Sequence, residues 1–266
     1  MKFGLKTLVA SVTLMGAINS AFAADVISIP NVTTTGSVAM TTDYRFRGIS
    51  QTSNNPAVQG GLTFTHESGV FLGLWGSNVA SVGNSNSAEM DAIIGYSMPL
   101  TLSASLAPTL EVGYIRYGYF GTGDSAPGNE QPDYNEFYGK LTFADSLIKG
   151  DSLSGAVTYA NEYFNQSDEY WNFNASYSAP IADTGFGFVG SVGYNSFKNK
   201  AMMAQAVGGD GSDDNYVDYK AGVNFGIQGV TAELAAIGTN ISTSGFSNGD
   251  EKPYTTSAVF SLSKSF

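Results

Sequence analysis

Charged side chains are scarce in this chain, and several fall at regular intervals. Asp43, Arg45 and Arg47 are spaced two residues apart, so in an extended strand all three project from one face. Such a face could form a charged constriction or loop anchor. It could equally form an internal salt-bridge network, because the planar arginine fork binds a carboxylate through two parallel hydrogen bonds. The same parity argument puts Glu89, Asp91, Glu111, Glu136, Glu162, Asp218 and Glu233 on an inward face, with Lys140 and Lys220 as further bases. With Asp43, Arg45 and Arg47 included, that is eight acids against four bases. Carboxylates ringing a water-filled path favour cations over anions.

Other chemistry is thinly represented. There is no cysteine, which excludes disulfide frameworks, thiolate metal sites and cysteine nucleophiles. His66, the single histidine, falls in the turn His66-Glu67-Ser68-Gly69, and no Ser/Asp constellation can be argued around it. No catalytic residue, metal site or cofactor is therefore expected. Gly208 to Asp213 (GGDGSD) matches one calcium-binding β-roll repeat, but that architecture needs several consecutive copies. It reads as a flexible acidic loop, where Asp210, Asp213 and Asp214 could collect a divalent ion loosely.

The elements that must carry these residues follow from composition and period. The 266 residues include 23 acids and 12 Lys or Arg, a net charge of −11, and nothing forms the basic stripe that nucleic acid needs. Charged residues are 13%, against roughly 25% in soluble domains. Lys2 and Lys6, the apolar run Thr7 to Ala17 and the Ala21-Phe22-Ala23 pattern mark residues 1–23 as a cleaved signal peptide. Residues 24–35 read as an N-terminal linker. No later stretch is long and apolar enough for a transmembrane helix, which leaves a transmembrane barrel open, since its lipid face takes only every second residue.

From Gly36 onward the period is two, as in Ser37 to Arg47, where Val38, Met40, Tyr44 and Phe46 alternate with small or charged residues. Twelve strands are predicted: 36–47, 56–65, 70–79, 89–98, 106–118, 134–143, 153–163, 169–178, 186–195, 215–225, 230–239 and 255–266. Long connections at 48–55, 80–88, 119–133, 196–214 and 240–254 broadly alternate with tight ones, the short 164–168 being the exception. Outer-membrane barrels sort their connections in this way, and an even strand number brings both termini to the same side. The polar face is mostly Ser, Thr, Asn, Gly and Ala, which suits a lumen better than the Lys/Glu-rich surface of a soluble sandwich. Tyr44, Phe46, Trp75, Tyr96, Tyr114, Tyr159, Trp171, Tyr177 and Tyr194 are expected at the membrane interfaces. The terminal Phe266, preceded at alternate positions by Leu262, Phe260 and Ala258, resembles an outer-membrane assembly signal, from which Lys264 departs.

One segment carries a specific resemblance. Asp43 to Gly48 (DYRFRG), Ser50 to Thr52 (SQT), Pro56 to Gly60 (PAVQG), His66 to Gly69 (HESG) and Trp75 to Val79 (WGSNV) together resemble the opening motif of the TorF-type porins, a proteobacterial family. The resemblance covers residues 41–79 and implies an outer-membrane barrel with a channel role.

The expectation is an all-β protein, a transmembrane antiparallel β-barrel of 12 strands over residues 36–266, in the cell outer membrane. Its partners would be outer-membrane lipid, the outer-membrane assembly machinery and small polar solutes. Its role would be passive diffusion with weak cation preference. The alternative from another class is a non-conducting surface barrel whose extracellular loops bind a partner or surface. A third is a soluble exported β-sandwich that binds carbohydrate.

Overall fold

A computed structural model describes residues 29–80, 87–103, 107–120, 133–244, 246 and 249–266. The signal-peptide segment and most of the 80–88 and 119–133 connections lie outside the described residues.

The chain forms a closed, wholly antiparallel barrel of twelve strands. In chain order these are β1 (Val32–Thr41), then β4 (Ala57–His66), β5 (Val70–Val79), β6 (Ser87–Pro99), β7 (Thr109–Phe120) and β8 (Tyr134–Ala144). They continue as β9 (Ser152–Ala160), β10 (Tyr170–Pro180), β11 (Phe186–Phe197), β12 (Asn215–Ile227), β13 (Val230–Thr239) and β14 (Ser257–Ser265). A separate two-stranded hairpin, β2 (Arg45–Phe46) with β3 (Ile49–Ser50), sits between β1 and β4 in sequence. One helix, α1 (Lys200–Val207), lies in the β11–β12 connection, with Asn199 accepting from the Met202 amide as its N-cap. Closure comes from β1, which pairs with both β14 and β4 and so leaves no open edge.

The alternation read from the sequence sets the two faces. Val38 and Met40 are 51% and 63% exposed, whereas Ala39 and Thr41 between them are buried. The exposed set on the outer face is apolar all round the barrel: Val58, Ile94, Phe173, Val192, Leu234 and Phe260 belong to it. An apolar belt on a closed barrel with strands of 9 to 13 residues fits a lipid bilayer and would be unstable in water. Tyr96, Trp171 and Tyr194 are exposed on this face as expected, and Tyr114, Tyr159 and Tyr177 are half-exposed there.

The connections sort by end. The turns at 67–69, 145–151, 181–185 and 228–229 gather at one end, and the longer connections, including 161–169 and 198–214, at the other. The β9–β10 connection lengthens to nine residues, because β9 stops at Ala160 and not at 163; the β6–β7 connection at the turn end is also nine, so the sorting by length is broad and not strict. In the turn at 145–151, Asp151 accepts from the amides of Ser146, Leu147 and Ile148 and from the Tyr177 hydroxyl. Partial burial pushes its carboxyl up, but these donors win and bring it down to about 2.

The boundary shifts of most consequence are the two of the first strand. β1 starts at Val32, within the stretch read as linker. It also ends at Thr41, so the predicted extension to residue 47 is not strand.

Candidate functional site

The site is the lumen, and its form is set by residues 42–56. Asp43 turns the chain inward. Its carboxylate accepts from Arg45 Nε at 2.7 Å, Ser50 Oγ at 2.6 Å and Thr52 Oγ1 at 3.0 Å, gathering both arms of the hairpin on one group. Arg47 and Gly48, at φ 48° and 79°, make the two-residue left-handed turn that closes β2 on β3. Gly48 is required twice over, since a Cβ there would lie 2.5 Å from the Gly238 carbonyl oxygen on β13. The hairpin therefore runs inward from β1 with its turn lying against β13 and β12, two and three strands away.

Asp43, Arg45 and Arg47 were expected on one face of a wall strand, and this is corrected: they belong to the hairpin. The alternation persists locally, but its partner is the hairpin's own second arm. Arg45, with its side chain fully buried, donates to the carbonyls of Gly48, Pro253 and Thr255, to Asn54 Oδ1 and to Ser257 Oγ. It ties the hairpin base to the β13–β14 connection. Arg47 makes a bidentate pair with Glu136 on β8, at 2.7 and 2.8 Å, with its guanidinium over the rings of Phe46 and Tyr170. β8 lies almost opposite β1 in the strand order, so the hairpin and the Arg47 side chain together reach from β1 to the far wall.

Tyr44, Phe46 and Trp75 are likewise corrected from interface to interior. Tyr44 packs on Trp75 at 5.4 Å and Phe46 on Tyr117 at 5.8 Å. The segment leaving β1 carries Tyr44 and Phe46 inward, and Trp75 shares the inward parity of Phe71 and Ser77 on β5.

Around the hairpin, the loop end of the lumen is filled. Tyr117 stacks on Tyr134, and Tyr163 stacks on Tyr170 at 4.0 Å, with Phe197, Met203 and Ile241 completing the cluster. Tyr163 comes from the β9–β10 connection and Met203 from α1, so loop residues fold over the mouth. Glu162 beside it is exposed, correcting its inward placement, because β9 has already ended. The turn end differs: Thr63, Ser154, Ser176, Ser191, Asn224 and Ser261 face inward and are only half-buried.

The remaining predicted residues do face the lumen. Lys220 and Glu233 pair at 2.6 Å. Lys140 sits across from Glu111, which accepts from Tyr138 at 2.7 Å. Asp218 accepts from Asn195 Nδ2 at 2.7 Å. Glu89 and Asp91, on β6, are 2% and 5% exposed. The structure does not join these into one ring. It divides the predicted charges among the hairpin with its Glu136 partner, β6, the β7–β8 pair and the β12–β13 pair.

Sequence reasoning missed Asn172 and Asn195. Tyr170 Oη and Asn172 Nδ2 both donate to Asn195 Oδ1, forming a buried belt with Asp218. Their shared parity with inward residues was the available signal. It was weak because Asn also suits an open polar lumen.

A closed twelve-stranded antiparallel barrel, apolar outside and polar or charged within, is an outer-membrane β-barrel of porin-like fold. Of the solved structures, the NanC porin aligns over 87% of this chain and 98% of its own, at 12% identity and a TM-score of 0.51. LpxR from Salmonella typhimurium (9% identity, 87% of this chain, 99% of that one, TM-score 0.45) aligns more loosely. So does the outer membrane protein opdK from Pseudomonas aeruginosa (11% identity, 90% of this chain, 67% of that one, TM-score 0.45). At such identity the first likeness bears on the fold alone. No curated protein sequence matches. Residues 27–266 match the profile of Gcw_chp, described as a bacterial protein of unknown function, and the chain belongs to that family.

Proposed function

We propose that the protein is a porin-like channel for passive diffusion of small polar solutes, weakly cation-selective, whose resting conductance is limited by the hairpin at 43–52. The observation that carries this reading is the division of the lumen. A half-exposed, Ser/Thr/Asn-lined turn end leads to a loop end stoppered by a hairpin held through side-chain hydrogen bonds and ion pairs. The excess of lumenal acids over bases supports the cation bias. The resemblance of residues 41–79 to the TorF-type porins supports the channel role.

In this reading residues 1–23 direct export and are removed before Ala24, and Phe266 serves the assembly machinery. Lys264, the departure from that signal, is exposed on the outer face two residues from the chain end, where its ammonium can reach the interface. No catalytic step is assigned.

Planar-bilayer recording of the refolded Ala24–Phe266 chain and its Arg47→Ala variant tests the proposal. Small or infrequent open steps in the wild type, larger ones in the variant and a cation-biased reversal potential are expected. Verified barrels that conduct in neither form would overturn it. They would favour a non-conducting surface barrel whose loops bind a partner. That reading draws on the near-complete burial of Tyr134, Glu136 and Tyr170 at the loop end.

A further inference from the structure

Most lumenal acids have a nearby base. Asp43 pairs with Arg45, Glu136 with Arg47 and Glu233 with Lys220, and Lys140 lies across from Glu111. Glu89 and Asp91 stand apart. Both are more than nine-tenths buried, and neither enters any ion pair among the described residues. Glu89 Oε2 and Asp91 Oδ1 also have no hydrogen-bond donor. A third orphaned acceptor is Gln59 Oε1, on a side chain 4% exposed.

These three acceptors share one patch of wall. Gln59 on β4 faces Ser77 on β5, and Ser77 faces Glu89 on β6, so the three lie in one lateral row. Asp91 is two residues further along β6 on the same inward face. The Gln59 amide nitrogen is turned toward Ser77 Oγ at 3.5 Å, leaving its oxygen as the open group. Tyr44 on the inserted segment and Trp75 on β5 pack together beside this patch, and Tyr119 donates to Glu89 Oε1 at 3.3 Å.

We propose that this patch of the inner wall binds one divalent cation of the calcium type through Glu89, Asp91 and Gln59. Three acceptor oxygens lacking donors are the complement of a cation, and two carboxylates without bases match a charge of two. The donor set is all oxygen, with no imidazole or thiolate, which selects a hard ion. Calcium accepts irregular coordination by carboxylates, amide oxygens and water, whereas magnesium demands near-octahedral geometry and dehydrates reluctantly. A bound ion would also relieve the cost of burying two unpaired carboxylates. It would brace the wall against which Tyr44 of the inserted segment packs.

The test uses the Ala24–Phe266 chain folded in detergent, with heat-modifiable migration confirming the barrel. Terbium is titrated while exciting tryptophan and tyrosine, because Trp75 and Tyr44 lie beside the site. Sensitised emission that calcium displaces is expected, with a thermal midpoint about 3 °C or more higher in calcium than in EGTA. The isosteric double variant Glu89→Gln/Asp91→Asn should lose the emission, and Gln59→Ala should weaken it about tenfold. The Asp210→Asn/Asp213→Asn variant, altered only in the exposed loop, should keep it. Absence of emission and of a calcium-dependent midpoint in the wild type overturns the site. So does a midpoint that rises with acid and ignores metal, since protons would then neutralise the pair. Loss of signal in the loop variant moves the ion to the loop and overturns the assignment. Should the double variant fail to fold, the wild-type titrations with Gln59→Ala and the loop variant still decide.

Discussion

Arg47 and Glu136 are worth more as a pair than either is alone. Glu136 is fully buried, and it accepts from both guanidinium nitrogens and from the Tyr117 hydroxyl. Glu136→Gln keeps the shape but leaves the Arg47 charge without its counter-ion. Breaking a buried pair from one side costs about 3–5 kcal/mol. The expected outcome is a lower urea midpoint for unfolding in detergent, partly restored by adding Arg47→Met. Asp151 makes a second prediction at this scale. Its folded carboxyl titrates near 2, below the ordinary 3.8, so its contribution is complete above about 4 and is lost as pH falls toward 2. Thermal midpoints measured across pH 2 to 6 should fall at the acid end. In Asp151→Asn the midpoint should be lower at pH 6 and flatter in that window.

At the scale of the element, the hairpin depends on its turn. A Cβ at position 48 would be strained by the positive φ and would collide with the β13 backbone. Gly48→Ala should therefore destabilise the docked hairpin by more than about 1 kcal/mol. The barrel wall itself should survive, since the registers of β1 with β4 and β14 lie within residues 32–41. Proteolysis of the folded variant in detergent checks this, with new cleavage confined to residues 42–56 and an otherwise intact barrel. Wholesale loss of heat-modifiable migration would mean that the hairpin is integral to the wall. Gly95 shows the same logic on β6. Phe71 packs against it, and a Cβ there would come within 2.4 Å of the ring.

For the whole molecule, the bilayer acts as the solvent for the outer face. Val192 lies near the middle of β11, outward and 51% exposed. Val192→Arg should cost about 2–4 kcal/mol if that position is near the membrane midplane. Reversible unfolding in lipid vesicles measures the loss. An equal stability of wild type and variant there would contradict an outer face in contact with hydrocarbon.

The sequence by itself determined the wall strands, their number and the two alternating faces of each. Val38 and Met40 against Ala39 and Thr41, or Phe173 and Ala175 against Asn172 and Asn174, report a period of two that depends only on local backbone geometry and on two contrasting solvents. The strand ends blurred where the polar contrast faded, as at Tyr163, an apolar residue continuing the pattern past the end of β9. Only the tertiary structure decided what fills the lumen. Asp43 to Phe46 alternate as well as any wall strand, and alternation cannot say whether the second face meets a neighbouring strand or the far side of a barrel. Arg47 finds Glu136 across 89 residues of sequence, and Gln59, Glu89 and Asp91 share one patch of the inner wall because β4, β5 and β6 pair in one register. Such long-range meetings are set by barrel closure, which fixes strand order and stagger together. No local spacing encodes them.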